Sequence, residues 1–119
     1  MIGFPGNRRV LLASQPIDFR KGMDTIAALV AEVLQADPFC GDVFVFRAKR
    51  CDRLKILVWD GNGLILATKR LEEGRFCWPP VRDGTIQLSA AQMSMLLEGL
   101  TLTWTKTDAK LVRRPQRAA

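Results

Sequence analysis

A tight turn between two apolar segments constrains the fold of this chain more than any other feature. The turn is Asp60-Gly61-Asn62-Gly63, a combination typical of short hairpin loops. Leu54 to Trp59 precedes it and Leu64 to Thr68 follows it, and both segments are rich in residues that favour strands. A third segment of this kind, Val43 to Phe46, lies a short connection upstream. Three successive strands predict an antiparallel meander at the centre of the fold.

Two helices are predicted, one before this meander in the chain and one after it. The first has Asp18 or Asp24 as its candidate cap and ends at Asp37-Pro38, because the residue before proline leaves the helical region. Ser89-Ala90-Ala91-Gln92 has the capping-box pattern of a shorter helix, which Gly99 ends. The apolar face of the first helix comprises Ile26, Leu29, Val30, Val33 and Leu34. We expect part of this face to pack on the central strands.

Further strands are predicted at Val10 to Leu12, at Thr85 to Leu88 and, as an edge strand, at Thr101 to Thr105. The predicted fold class is α+β, with an antiparallel sheet packed against one long and one shorter helix. The length of 119 residues suits a single domain, which we place at residues 1–105. Residues 106–119 are predicted to form a basic, flexible C-terminal tail. The core is expected to include Phe44, Phe46, Ile56 and Trp59.

The composition excludes several kinds of site. The chain has no histidine, so a Ser-His or Cys-His nucleophile is absent. Its three cysteines, Cys40, Cys51 and Cys77, are widely spaced and too few for a closed zinc site. No segment has the roughly 18 continuous apolar residues of a membrane span, and the start does not resemble a signal peptide. We therefore expect a cytoplasmic protein with reduced cysteines and without a cofactor.

A metal-dependent nuclease is the enzymatic alternative. Such an enzyme needs two or three carboxylates that converge on a divalent cation. Each candidate also has a simpler explanation as a helix cap, a turn residue or a polar loop residue. The candidates are Asp18, Asp60, Glu72, Glu73 and Asp83. We expect no metal site and no catalytic residue.

Positive charge is concentrated in the connection between the first two strands of the meander. The net charge is +6, from 18 Lys and Arg against 12 Asp and Glu, which favours an acidic partner such as nucleic acid. Within nine residues, Asp52 alone offsets five cations, namely Arg47, Lys49, Arg50, Arg53 and Lys55. These residues predict a basic hairpin that contacts phosphates, with Arg47 and Arg53 close together across it. The alternative is a solvated hairpin tip without a partner.

The tail holds a second basic group. Its arginines, Arg113, Arg114 and Arg117, are candidates for contacts to DNA that do not depend on sequence. The tryptophans Trp59, Trp78 and Trp104 could stack on bases, although such residues more often belong to the core.

The order of these motifs resembles a known family, over roughly residues 10 to 100. The family is the accessory protein TnpB, or second open-reading-frame protein, of the bacterial insertion-sequence family numbered sixty-six. Cys40 and Cys51 depart from the family pattern, in which a small polar and a basic residue are expected. The similar segments are Asp18-Phe19-Arg20-Lys21-Gly22, Asp37-Pro38-Phe39, Val45-Phe46-Arg47, Asp52-Arg53-Leu54-Lys55, Trp59-Asp60-Gly61, Lys69-Arg70-Leu71-Glu72, Gly74-Arg75-Phe76, Trp78-Pro79 and Leu96-Leu97-Glu98-Gly99.

The resemblance implies a helper in transposition, since in such elements a separate, larger transposase carries the catalytic centre. We expect a non-catalytic accessory protein whose partner is DNA, bound through the basic hairpin. The alternative is an adaptor whose cationic surface docks on acidic segments of the transposase. Neither a membrane nor a small-molecule substrate is expected.

Overall fold

The computed structural model describes residues 8–80, 85–99 and 110–112. All of its strands lie in one sheet, in the order β4-β3-β2-β1-β5-β6. In chain order the elements are β1 (Val10–Ala13), α1 (Met23–Glu32), β2 (Val43–Arg47), β3 (Arg53–Trp59), β4 (Leu64–Arg70), β5 (Thr85–Leu88), α2 (Ala90–Leu97) and β6 (Lys110–Val112). The α+β class predicted from the sequence is confirmed.

The central meander is also confirmed. Strands β2, β3 and β4 pair antiparallel in chain order, with Phe44 opposite Leu57 and Leu57 opposite Leu66. The turn between β3 and β4 forms because the Asp60 carboxylate accepts the N–H groups of Asn62 and Gly63 at 3.2 and 3.0 Å. The turn and the strand pattern therefore establish the local register of this part of the sheet.

The sheet as a whole is mixed, so the prediction of an antiparallel sheet is wrong. Strand β1 runs parallel to β2, with Val10 opposite Val43, and antiparallel to β5. The reason is helix α1, which carries the chain from the end of β1 back to the start of β2. A strand, a helix and a second strand connected in this way pair in parallel.

The two helices cover opposite faces of the sheet. On the α1 face, Phe44 and Phe46 are buried with Ile26 and Val30 of the helix, as predicted. Leu34 joins this cluster but lies two residues beyond the end of α1. The α2 face is formed by alternate residues of the same strands. Its buried members include Val43, Val45, Leu54, Ile56, Val58, Met93 and Leu96. Successive residues of β2 thus enter different cores, and the strand is buried on both faces.

Trp59 differs from the core prediction. It ends β3, is half-buried, and meets the exposed ring of Phe39 edge to face at a centroid distance of 5.5 Å. Its carbonyl accepts a hydrogen bond of 2.8 Å from the Arg8 guanidinium. Trp59 itself belongs to neither of the two main hydrophobic clusters.

The ends of α1 are not formed by the predicted residues. Gly22 is the N-cap and supplies no side chain. The Asp18 carboxylate accepts the Arg20 N–H at 3.0 Å, but Asp18 lies five residues before Met23, the first residue of the helix. At the other end, Gln35 takes a left-handed conformation at φ 52°, before proline is reached. A chain in that conformation leaves the helix, so the stop at Asp37-Pro38 is not needed.

Strand β6 lies within the segment predicted to be a tail. Lys110–Val112 pairs antiparallel with β5. The other tail residues, Asp83 and the predicted edge strand at Thr101 to Thr105 lie outside the described residues. The division of the chain at residue 105 stays a prediction.

Helix α2 begins with the predicted capping box. The Ser89 hydroxyl accepts the Gln92 N–H at 3.1 Å, and the Ser89 N–H donates to the Gln92 side chain at 2.8 Å. Gly99 follows the helix at φ 72°, as expected for a residue that ends it. The helix limits are therefore local properties of the sequence.

Loss of the cap should be measurable. We expect Ser89→Ala to lower the free energy of unfolding by about 1 kcal/mol, because two N–H groups at the helix start lose their acceptors or their fixed geometry. Urea unfolding checks this value. Ser94→Ala is the matched control, since Ser94 is exposed in the same helix and Ala is the better helix former there. Equal losses in the two variants would contradict the capping role.

Candidate nucleic-acid interface

The connection between β2 and β3 is a braced turn. The Cys51 N–H donates to the Ala48 carbonyl at 2.9 Å, and the Ala48 N–H donates to the Arg53 carbonyl at 3.0 Å. Cys51 has a φ of 60°, which reverses the chain. Its carbonyl accepts the Phe76 N–H at 2.6 Å, so the turn is also tied to the loop after β4. The side chains of this connection are consequently carried on a fixed backbone.

Three of the five predicted cations are presented to solvent, and we name Lys49, Arg50 and Arg53 the turn cluster. Lys49 and Arg50 are exposed at the tip of the turn. Arg53 is half-exposed, and its guanidinium lies 4.6 Å from the centre of the Phe19 ring. The Asp52 carboxylate is 3.7 Å from the Arg53 side chain, a loose ion pair. The turn cluster therefore carries a net positive charge at one end of the sheet.

Lys55 is not part of this exposed group. It is only 8% exposed, and its ammonium donates hydrogen bonds of 2.7 and 2.8 Å to the carbonyls of Phe19 and Lys21. The same ammonium lies 4.6 Å from the centre of the Phe19 ring. Lys55 thus holds the loop before α1 against the sheet. To contact a phosphate, the Lys55 ammonium would have to break its two hydrogen bonds to carbonyls and its contact with the Phe19 ring.

Arg47 lies on the other face of the sheet from Arg53. The register places Arg47 opposite Leu54, so the predicted approach of Arg47 to Arg53 across the hairpin is wrong. Its guanidinium makes hydrogen bonds of 3.5 Å to the carbonyls of Ser14 and Lys49, and its buried Nε atom has no acceptor among the described residues. Arg47 is half-buried and turned toward the protein.

A cation that the sequence analysis missed lies beside the turn cluster. Arg70, at the end of β4, is exposed and directly opposite Arg53. The sequence contained the information needed to predict this position, because the turn at Asp60 to Gly63 fixes which residues of β3 and β4 face each other. Like charges placed opposite each other on neighbouring strands destabilise a sheet. An anion near this pair would relieve that repulsion.

The remaining candidates do not join this surface in the described part of the chain. Trp78 donates its indole N–H to the Ala13 carbonyl at 3.0 Å, and Trp59 packs with Phe39. Both rings therefore have partners within the protein. Outside the described residues lie Trp104, Arg113, Arg114 and Arg117.

Two of the candidate metal ligands, Asp18 and Asp60, have other partners, and Glu72 and Glu73 are exposed in the loop after β4. The Arg20 side chain and N–H bond to the Asp18 carboxylate and hold the pKa of that carboxyl well below its usual range. Asp60 closes the turn between β3 and β4. Among the residues that the structure describes, no three His, Cys, Asp or Glu side chains are grouped so that they could hold a metal ion.

Neither Cys40 nor Cys51 has an activated thiol. Burial raises the pKa of the Cys51 thiol, and the nearby Arg47 guanidinium offsets only part of that effect. Burial also raises the pKa of Cys40. All three cysteines lie within the described ranges, and none is in a disulfide.

No described helix has the length and apolar character needed to cross a bilayer.

Sequence similarity to known proteins extends over nearly the whole chain. A family described as "IS66 Orf2 like protein" matches residues 8–107. A protein of Sinorhizobium fredii (strain NBRC 101917 / NGR234), "Uncharacterized protein y4jC", is 52% identical over 119 residues and covers 100% of both chains. "Uncharacterized protein y4hO" of the same organism is 45% identical over 94 residues, which are 79% of this chain and 82% of the relative. No solved structure matches the chain significantly.

Proposed function

The chain belongs to the family described as IS66 Orf2 like protein, and on this basis we propose that it is a non-catalytic accessory protein of transposition that binds DNA through the turn cluster. The family supports the role in transposition. The contact to DNA is our own inference from the position of Lys49, Arg50 and Arg53. The proposed contact therefore comprises three of the five cations of the predicted basic hairpin, those that face the solvent.

One observation carries the proposal: three cations are held on a backbone that is braced by hydrogen bonds and anchored in two cores. The side chains of Lys49 and Arg50 are exposed, and no ion pair is formed by either residue with the described part of the chain. Because the backbone is already fixed, binding a phosphate orders only the side chains. Such contacts favour DNA mainly through release of counterions from the phosphates.

The surface is suited to the DNA backbone rather than to the bases. The aromatic ring that contacts the turn cluster through Arg53, that of Phe19, also faces the Lys55 ammonium. Without a free ring or an amide side chain at the tip, the turn cluster supplies only charge and N–H donors. Phosphate contacts position a protein on DNA but carry no sequence information. We therefore expect this surface to bind DNA of different sequences with similar affinity.

The adaptor alternative uses the same residues for a different anion. An acidic segment of the transposase would offer carboxylates in place of phosphates. The two alternatives differ in what the isolated protein does. The DNA proposal requires binding without the transposase, whereas the adaptor requires loss of transposase association when the turn cluster is removed.

The test compares the unmodified chain with Lys49→Ala/Arg50→Ala on element-end and random duplex DNA of equal length. We expect the double variant to bind both duplexes on the order of 10- to 100-fold more weakly at 0.1 M salt, because about two phosphate contacts are lost. Both substituted side chains are exposed, so the free energy of unfolding should change by less than about 0.5 kcal/mol. Binding should be unaffected by a metal chelator, and the DNA should stay intact in magnesium.

Arg113→Ala/Arg114→Ala is the matched control, because it removes the same charge from the predicted tail. A smaller loss than in the turn variant is expected if the tail is flexible, as its sequence predicts, since a flexible segment loses conformational entropy on binding. An equal or larger loss would show that the turn cluster is not the main contact. Weak binding by the unmodified chain, together with transposase association that depends on the turn cluster, would establish the adaptor instead.

A further inference from the structure

The outer edge of β4 has no partner strand in the part of the chain that the structure describes. We propose that two copies of the chain associate through this edge, with their β4 strands paired antiparallel about a two-fold axis. The inference is independent of DNA binding. It rests on the backbone groups, the apolar residues and the charges that β4 presents.

The alternation of hydrogen bonds shows which backbone groups are available. Asp60 donates its N–H to the Gly63 carbonyl at 3.0 Å, and Leu71 donates to the Asp52 carbonyl at 2.9 Å. Bonded pairs alternate with non-bonded pairs along an antiparallel ladder, so the residues of β4 that bond to β3 lie at odd positions. The N–H and C=O groups that point outward are those of Leu64, Leu66, Thr68 and Arg70. Nearly the full length of β4 can therefore accept another strand.

Both hydrophobic clusters end on β4 in residues that are only half-buried. Leu64 and Leu66 extend the cluster on the α1 face, and Ile65 and Ala67 extend the cluster on the α2 face. The apolar half of this edge strand, Leu64 to Ala67, favours pairing with another chain unless it is shielded. A second β4 would lie along this edge and reduce the exposure of these half-buried residues on both faces.

Charge complementarity favours the antiparallel arrangement. The cation Arg70 ends β4. At the start of the strand, Leu64 borders a groove of about 710 Å³ whose lining is apolar except for Asp24 and Asp37, and we name it the acidic groove for these two carboxylates. In a pairing centred on Ala67, Arg70 of one copy comes opposite Leu64 of the other. Residues that are directly opposite project to the same face, so Arg70 is brought to the acidic groove. The contact occurs twice because of the two-fold symmetry.

The edge is complementary to itself, and this selects a second copy as the occupant. Each copy supplies a cation at one end of β4 and an acidic groove at the other end, which is the arrangement that a two-fold axis requires. The partner's carboxylates would also relieve the repulsion between Arg53 and Arg70, which lie opposite each other within one copy. A strand from an unrelated protein could form hydrogen bonds with the same backbone groups. Such a strand would not in general carry charges complementary to Arg70 and the acidic groove.

Sedimentation equilibrium of the full chain over a range of concentrations tests the proposal. The expected result is a concentration-dependent mass that approaches twice the 13.3 kDa of one chain. Thr68→Pro removes one outward N–H at an exposed position and should weaken the dimer at least about 10-fold, because proline cannot donate to a ladder. Thr68→Ala, the matched control, retains the N–H and should dimerise like the unmodified chain.

Two outcomes would overturn the proposal: an unmodified chain that stays monomeric up to about 0.5 mM, or a folded Thr68→Pro variant with unchanged dimer affinity. If Thr68→Pro does not fold, cysteine cross-linking decides. Under a mild oxidant, Ala67→Cys should form a disulfide between copies, since a residue on the axis lies about 4.5 to 5.5 Å from its equivalent. The unmodified chain, with its native cysteines, gives the background. An Ala67→Cys variant that does not cross-link above that background would also refute the β4 interface.

Discussion

Phe44→Ala is expected to lower the free energy of unfolding by about 3 to 5 kcal/mol, the largest effect of any single substitution considered for this protein. Phe44 is 0% exposed and packs in the cluster between β2 and α1, where Ile26 and Val30 are also fully buried. Removing its ring leaves a cavity that the neighbouring strands β1 and β3 cannot close. Equilibrium unfolding in urea measures the loss.

Phe39→Ala is the matched control, because the same side chain is removed from a site that is 55% exposed. Its edge-to-face contact with Trp59 is worth about 0.5 to 1.5 kcal/mol, so a loss of that size is expected. If Phe44→Ala is unfolded in water, Ile26→Val in the same cluster should still cost about 0.5 to 1.5 kcal/mol. Equal losses at Phe44 and Phe39 would contradict the packing described for α1.

Lys55→Met is expected to cost about 2 to 4 kcal/mol of stability, because hydrogen bonds from a charged donor are worth about 1.5 to 3 kcal/mol each. The substitution keeps most of the buried aliphatic chain. It leaves the carbonyls of Phe19 and Lys21 without their donor and removes the cation from the Phe19 ring. The loop before α1 should loosen as a consequence.

Lys49→Met is the control for Lys55→Met, since Lys49 is exposed in the turn and its loss should change stability by less than about 0.5 kcal/mol. Hydrogen exchange gives a second measurement. Amides in the loop from Asp18 to Gly22 and in the first turn of α1 should exchange faster in Lys55→Met than in Lys49→Met. A Lys55→Met variant as stable as Lys49→Met would show that Lys55 does not anchor this loop.

The parts of the fold that the sequence predicts are those governed by near neighbours in the chain. The turn at Asp60 to Gly63 sets the pairing of β3 with β4, and Ser89 with Gln92 sets the start of α2. Both depend on hydrogen bonds between residues at most three positions apart. The same holds for Gly99, whose left-handed conformation ends that helix.

The parallel pairing of β1 with β2 depends on residues more than thirty positions apart and was not predicted. A signal existed in the composition of these strands. Val10 to Ala13 and Val43 to Phe46 are uninterrupted apolar runs rather than alternating ones. Such runs indicate strands covered on both faces, which is typical of the parallel parts of a sheet. A helix between two such strands favours a parallel connection.

The candidate site shows why a count of charges does not define a surface. Lys55 lies between the apolar residues Leu54 and Ile56, within a strand whose interior positions are all buried. A lysine in that setting is more often held by internal acceptors than offered to a ligand. Arg47 likewise turns toward backbone carbonyls, whereas Arg70, fifteen or more positions from the predicted hairpin, faces Arg53. The pairing register of β2, β3 and β4 decides which of these three cations, Lys55, Arg47 or Arg70, faces the solvent beside Arg53.

The central claim is that the turn cluster contacts DNA phosphates, and the salt dependence of DNA binding tests it most directly. With about three phosphate contacts, the slope of log K against log salt should be about −3 for the unmodified chain on duplex DNA. Lys49→Ala/Arg50→Ala should flatten this slope by about 1.8 units, because each contact contributes about 0.9. The same slope in both proteins would contradict the account, since it would mean that neither side chain meets a phosphate.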